Sequence, residues 1–425
     1  MTAKLRVAAL TWALTWALTW ALGLASTCAA AADTAADRFA PKRGFSTDVW
    51  VVWKTVPDMV ATPGFLDIYP DYPRTLPEGS FARLQGQGFD TLRIAADPAP
   101  LLALAGSARE EGLLANLRLR VLEAQAAGLK VILDLHTFPH PGQTGDIAAI
   151  LASPTLFTAY LQMVGQVARR IADLNPDVTA LEVMNEPSQD CEVITANPAA
   201  SDWPAKLARL HTVARAAAPR LPLVLSGACW GGPQALAVLD PAVLHDDNVI
   251  WSFHSYDPFE FSHQGAGWTD SPLMFLHDLP YPPALLTDAS VAQIVAQAVV
   301  RAKAATGPVA AAATPAALLQ IVTAYRTSPV DATSAPVAVA TAWADAHGIP
   351  RARVLMGEFG ALWVGDLGRR SDPASHNRFL AAKRGAAEAA GIGWAVWSYS
   401  GNFGITDPAG VIDPGVCASL GLTPC

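Results

Sequence analysis

The chain has 425 residues, 52% of them apolar, and a formal charge of −8 at neutral pH. That apolar content supports one large domain with a sizeable core. The acidic balance, with no basic stripe to neutralise phosphates, excludes nucleic acid as the main partner.

The chain opens with the basic "MTAKLR", continues through a threefold "TWAL" from Thr11 to Leu22, and reaches the small-residue run "CAAAAD". A basic start, an apolar middle and small residues before a polar segment read as a secretory signal peptide over residues 1–32, cut near Ala30 to Ala32. The alternative is an uncleaved anchor, since a span needs about 20 apolar residues. Ser26-Thr27 before Cys28 is a poor lipobox. The expectation is a secreted or periplasmic protein, with 33–425 as its catalytic domain and no membrane span after cleavage. Cys191, Cys229, Cys417 and Cys425 then remain, an even number in an oxidising compartment. Three pairings are open, and free buried thiols are the alternative. No CxxC or Cys/His cluster suggests a metal, and no cofactor is expected.

Short apolar runs follow in order: "VWVVW" (49–53), "FDTLRIAAD" (89–97), "LKVILDLH" (129–136), "VTALEVMNE" (178–186), "LPLVLSG" (221–227), "NVIWSFH" (248–254), "ARVLMGEFG" (352–360) and "IGWAVWSYS" (392–400). Helical segments separate them. In one, Phe157, Tyr160, Leu161, Val164, Val167, Ala168 and Ile171 recur at helical spacing. The strand runs are continuously apolar, as when both faces of a sheet are covered. Eight such units predict a (β/α)8 TIM barrel. An open doubly wound sheet would be supported by a GxGxxG or Walker loop, and neither occurs. Between His254 and Val354, "VAQIVAQAVVRAKAAT" (291–306) and "PAALLQIVTAYRTS" (315–328) look helical. Residues 263–350 therefore read as a helical insertion between strands six and seven, capping the barrel mouth; the alternative is helices packed outside.

Catalytic groups of such barrels gather where strands end and loops begin. Those ends carry Arg93, His136, Asn185, Glu186, His254, Tyr256, Glu358 and Trp397. Two carboxylates suit glycosidic cleavage, which needs an acid for the leaving oxygen and a nucleophile or base for the oxocarbenium-like carbon. Arg93 near one carboxyl would hold it ionised, and a tryptophan face suits the C–H side of a pyranose. Asp134 shares a face with His136 and supports it. Trp50, Trp53, Trp203, Trp230, Trp268 and Trp363 fall in or beside mouth loops as candidate sugar platforms, Trp230 and Trp363 first among them. Asn402 is an outside candidate.

Taken together, "VMNEP", "LMGEFG", "DLH", "FHSY" and the late tryptophan resemble glycoside hydrolase family 5, in a clan of retaining barrel glycosidases that includes many cellulases and mannanases. The resemblance runs over about 45–400, although the first strand, "STDVWVVW", lacks that family's glycine-led start. It implies that Glu186 is the acid/base and Glu358 the nucleophile. Arg93 and Tyr256 would flank the nucleophile, and His254 would lie near the acid/base. Asn185 would bind the sugar 2-hydroxyl, and His136 and Trp397 would line the subsite of the cleaved sugar. The expected partner is a β-linked oligo- or polysaccharide, a glucan first and a mannan second, acted on by a monomer. A transglycosylase or an inactive carbohydrate-binding barrel are the alternatives. Adjacent ends of strands four and five favour Cys191–Cys229, leaving Cys417–Cys425 to pin the tail.

Overall fold

The computed structural model describes residues 33–51, 76–138 and 146–425, and one unit runs from Ala35 to Cys425. The expected signal peptide and Trp53 lie outside the described residues. Eight parallel strands close into a barrel in chain order: β1 (Arg43–Val51), β2 (Thr91–Ala96), β3 (Lys130–Leu135), β4 (Thr179–Glu182), β5 (Leu223–Ser226), β6 (Val249–His254), β7 (Val354–Phe359) and β8 (Gly393–Val396). β8 returns to pair with β1. The expected (β/α)8 barrel is the observed fold.

Both strand faces are buried, which accounts for the unbroken apolar runs. Ile132, Ala180, Val224, Ile250 and Leu355 form one layer inside the barrel. The intervening residues, such as Val131, Leu133, Leu181, Leu223 and Trp251, face the surrounding helices. A short helix, α1 (Ala35–Phe39), closes the barrel floor: Ala36 and Phe39 join the interior layer, and the Lys130 ammonium donates to the Phe39 carbonyl. The helices α2 (Ala108–Ala126), α3 (Pro154–Ile171) and α4 (Trp203–Ala217) pack side by side outside. α3 buries all seven residues expected from its periodicity. Its start is set by the Ser153 hydroxyl, which accepts from Leu156 N–H, and by Pro154 at the first turn.

Strand one differs from its sequence reading. It occupies Arg43–Val51 rather than residues 49–53. Ser46, Thr47 and Asp48 interrupt the apolar signal, yet Ser46 and Thr47 are fully buried. The glycine missing from the expected start stands at Gly44, where a Cβ would come 3.1 Å from both Ala395 Cβ and the Trp394 carbonyl.

Between β6 and β7 lie α5 (Asp288–Ala304), α6 (Pro315–Arg326) and α7 (Ala335–Ala346). α7 packs on the barrel wall, where Trp343 meets Trp251 edge-on at 5.2 Å and donates its indole N–H to the Leu239 carbonyl. α5 and α6 pair with each other. Through Tyr325, Phe261 and Tyr281 they lean on Phe379 of α8 (Pro373–Ala389). Tyr256, which reaches the site, follows directly after β6 and precedes these helices.

Disulfides join Cys191 to Cys229 and Cys417 to Cys425, the two pairings favoured above. The second closes a tail whose Thr423 N–H donates to the Gln87 carbonyl. Among the described residues no helix is long and apolar enough to cross a membrane.

Phe39 is the largest side chain of the floor. Phe39→Ala is expected to lower unfolding stability by about 3–5 kcal/mol, the usual result of emptying a buried aromatic site. Equilibrium denaturation measures this.

Candidate active site

Arg93 projects from β2 into the barrel and is sealed from solvent. Its Nε and Nη2 donate to Glu182 at 2.7 and 3.0 Å. Nη1 donates to Glu358 Oε1 at 2.6 Å, and Nη2 also reaches Asn185 Oδ1 at 2.7 Å and Asp134 Oδ2 at 2.9 Å. Burial works against this charge, but the Asp134, Glu182 and Glu358 carboxylates outweigh it and raise the guanidinium pKa well above its ordinary value. Such a hub tolerates no missing partner, because an uncompensated buried charge is strongly destabilising.

Glu358 sits near the end of β7 with its side chain 4% exposed. Burial alone would raise its pKa. The charges of His254, Arg93 and His136 and the Tyr256 hydroxyl prevail and lower it to about 2. The Tyr256 hydroxyl donates to Oε2 at 2.8 Å. Glu186 follows β4 and is the more open of the two, its side chain 25% exposed. His254 stands between them, with Nδ1 2.7 Å from Glu186 Oε1 and 3.5 Å from Glu358 Oε2. One oxygen of each glutamate and a ring nitrogen of His254 all lie within 4.8 Å of one another. Burial lowers the pKa of His254, but Glu358 and Glu186 together raise it above the ordinary histidine value.

The backbone at Glu186 is left-handed, with φ 42°. That region costs a non-glycine residue about 1–2 kcal/mol, so the surroundings must hold it. Trp230 N–H donates to the Pro187 carbonyl and Cys229 N–H to the Gln189 carbonyl. The Cys191–Cys229 disulfide ties the same two loops covalently.

On the other side, His136 Nδ1 lies 2.9 Å from Asp134 Oδ2, and its Nε2 lies 3.3 Å from the Asn185 amide nitrogen. Its ring stacks on Trp397 at 5.0 Å and 12°, and on Phe138 at 4.6 Å and 25°. The eight strand-end residues therefore converge on one place, and Asp134 braces two of them.

The tryptophans divide. Trp230 and Trp268 are 54% and 52% exposed, with Trp268 resting against Phe403 and His263. Trp363 is only 9% exposed; the Arg370 guanidinium covers its face at 4.2 Å and His376 meets it at 4.2 Å. Trp50 packs edge-on against Phe81 at 4.8 Å. Trp203 is buried with its N–H on the Ser226 carbonyl. Asn402 braces a loop: its carbonyl accepts from Trp363 and Val364, and its amide donates to Asp366.

The sequence reading missed Glu182, Phe138, His263 and Phe403. Glu182 alone carried a signal, as a carboxylate inside a strand covered on both faces needs a buried partner. Glu186, His254 and Glu358 are also the described residues whose ligand atoms converge enough to hold a cation. Any such ion would share Glu358 with the Arg93 guanidinium 2.6 Å away.

Comparison with known proteins adds to this geometry. A model described as cellulase (glycosyl hydrolase family 5) matches residues 66–403. Endoglucanase 3 of Fibrobacter succinogenes is 27% identical over 269 residues, 62% of this chain and 36% of that protein. Endoglucanase C of Acetivibrio thermocellus is 25% identical over 200 residues, 46% of this chain and 54% of that one. The chain thus spans about a third to a half of the length of these curated relatives. The fold is shared with endoglucanase Cel5A of Thermotoga maritima, at TM-score 0.61 and 18% identity, over 91% of this chain and 100% of the other. It is shared equally with the cellulose synthase subunit Z of Clostridioides difficile, at TM-score 0.61 and 18% identity, over 89% and 99%. With the family model covering most of its length, the chain belongs to the cellulase family, glycosyl hydrolase family 5.

Proposed function

We propose that this protein is a retaining glycosidase that cleaves β-glycosidic bonds in a glucan or a related β-linked saccharide. The observation that carries the reading is the pair Glu186 and Glu358, with carboxylate oxygens within 4.8 Å of each other across His254. Retaining enzymes hold their carboxyls about 5–5.5 Å apart, whereas inverting ones leave about 6.5–9.5 Å for a water. The two environments also differ as a nucleophile and an acid/base require. Glu358 is buried and held ionised by Arg93, His254 and Tyr256. Glu186 is open to the mouth and shares a proton network with His254.

In this mechanism Glu186 protonates the leaving sugar oxygen while Glu358 attacks the anomeric carbon. A glycosyl ester forms on Glu358. Glu186, now ionised, then takes a proton from water, and that water's oxygen releases the sugar with its configuration retained. Asn185, fixed by Arg93 and His136, offers its amide to the 2-hydroxyl. The stacked His136 and Trp397 line the site of the cleaved sugar. The exposed Trp230, next to the loop of Glu186, supplies a platform for the departing sugar, and Trp268 a second exposed face on the other loop. Trp363 is no platform in this reading, because Arg370 covers its ring.

The relatives named endoglucanases favour a β-glucan as substrate. Cel5A of Thermotoga maritima has been crystallised with cellobiose and with mannotriose, which keeps a mannan second. Two disulfides fit export to an oxidising compartment, with residues 1–32 as the signal and a monomer as the working form.

A 2-deoxy-2-fluoro glycoside is expected to label Glu358, read by peptide mass spectrometry; labelling of any other residue overturns the assignment. Glu186→Gln is expected to lower kcat/KM about 10²–10⁴-fold on β-glucan, with reducing-sugar release as the measure and product anomers by NMR separating hydrolysis from transfer to sugar. Tyr256→Phe removes a donor that stabilises the ionised Glu358. Its carboxyl pKa must then rise from about 2, so the acid limb of kcat/KM moves to higher pH. A pH–rate profile checks the direction.

A further inference from the structure

Helix α8 runs behind β7 and β8 and turns two buried basic side chains toward the strand exits. His376 lies 3.2 Å from the Ala361 carbonyl, on the loop after β7. Lys383, two turns further along the same face, is 0% exposed, and its Nζ donates to Ser255 Oγ at 2.7 Å. Ser255 is itself buried. Its backbone N–H donates to the carbonyl of Glu358 at 3.0 Å, and the next residue is Tyr256, whose hydroxyl holds Glu358 Oε2.

A lysine enclosed this completely is costly, and the bond found for its ammonium goes to a neutral hydroxyl. The Phe379 ring lies 5.6 Å from Nζ. Asp257 at the β6 exit acts on this ammonium, and Glu358, with Tyr256 and His254, lies beyond Ser255. Burial lowers the ammonium pKa to about 7, against the pull of Asp257. A methionine there would fill the same space without a charge, so a purely structural account leaves the lysine unexplained.

We propose that Lys383 is a positioning residue for the nucleophile: through Ser255 it sets the β6 exit so that the Tyr256 hydroxyl meets the Glu358 carboxylate. The chain of contacts is short. Lys383 fixes the Ser255 side chain, Ser255 fixes the Glu358 backbone, and Tyr256 fixes the Glu358 carboxylate. This inference rests on the reading of Glu358 as nucleophile, but part of its test does not.

Lys383→Met is expected to keep or raise the unfolding temperature, because a buried charge is replaced by an apolar chain of similar length. It is expected to lower kcat about tenfold or more with KM within about twofold, as a small misplacement of a reacting group does. The acid limb of the pH–rate profile should move up, as with Tyr256→Phe. Ser255→Ala should act in the same direction, and the double variant should be no worse than the stronger single one, since both break one path. Independently of substrate, the Glu358 carboxyl titration, followed by carbon-13 NMR and assigned with Glu358→Gln, should rise in Lys383→Met and in Ser255→Ala. Wild-type kcat and an unmoved Glu358 titration in folded Lys383→Met overturn the inference; if that variant fails to fold, the same two results in Ser255→Ala overturn it. A moved titration in a protein that cleaves no β-glycoside leaves the positioning role standing and removes the glycosidase reading instead.

Discussion

One guanidinium governs the centre of this barrel. Arg93 faces Asp134, Glu182 and Glu358 from strands β3, β4 and β7, and also meets Asn185 just after β4. Three buried carboxylates around one cation form an arrangement that no member could leave singly. Breaking a buried ion pair usually costs more than the pair contributed in forming. The same hub orders the chemistry above it. It keeps Glu358 charged, fixes the Asn185 amide, and through Asp134 turns the His136 ring so that its other nitrogen faces Asn185.

Around this hub the molecule sorts its two glutamates by environment. Glu358 is enclosed by strands and by the Tyr256 hydroxyl, so its setting comes from the barrel itself. Glu186 stands on a loop in a strained backbone conformation, so its setting comes from the neighbouring loop and the disulfide. In the proposed mechanism Glu358, as nucleophile, gains from rigidity and from a fixed charge. In the same proposal Glu186, as acid/base, changes protonation state twice in a cycle and needs access to water, and its greater exposure fits that role. The helical insertion contributes indirectly, by bracing α8, which in turn reaches the β6 and β7 exits.

Most of the fold was legible because both faces of every strand are covered, which writes each strand as an apolar run ended by a polar residue. β1 was misread because Ser46 and Thr47 are polar yet buried, one on each face of the strand, so polarity there marked covered strand rather than a loop. Most of the converging residues were legible for the same reason as the strands, standing where an apolar run stops; Arg93 was legible as a charge inside the apolar run of β2. Glu182, also inside a run, signals only that it needs a buried partner, and that partner, Arg93, is distant in sequence. Trp363 and Asn402 could not be sorted from sequence either. What covers or bonds them, Arg370, His376 and Asp366, is fixed by how loops fold back on one another rather than by local pattern.

The Cys191–Cys229 bond has a consequence for where the molecule becomes complete. The barrel closes through strand pairing and apolar burial, neither of which requires an oxidant. The loop that presents Glu186 is held by a link that forms only when two thiols lose their hydrogens. A reductant would then untie this one loop while leaving the strand pairing and the apolar core in place.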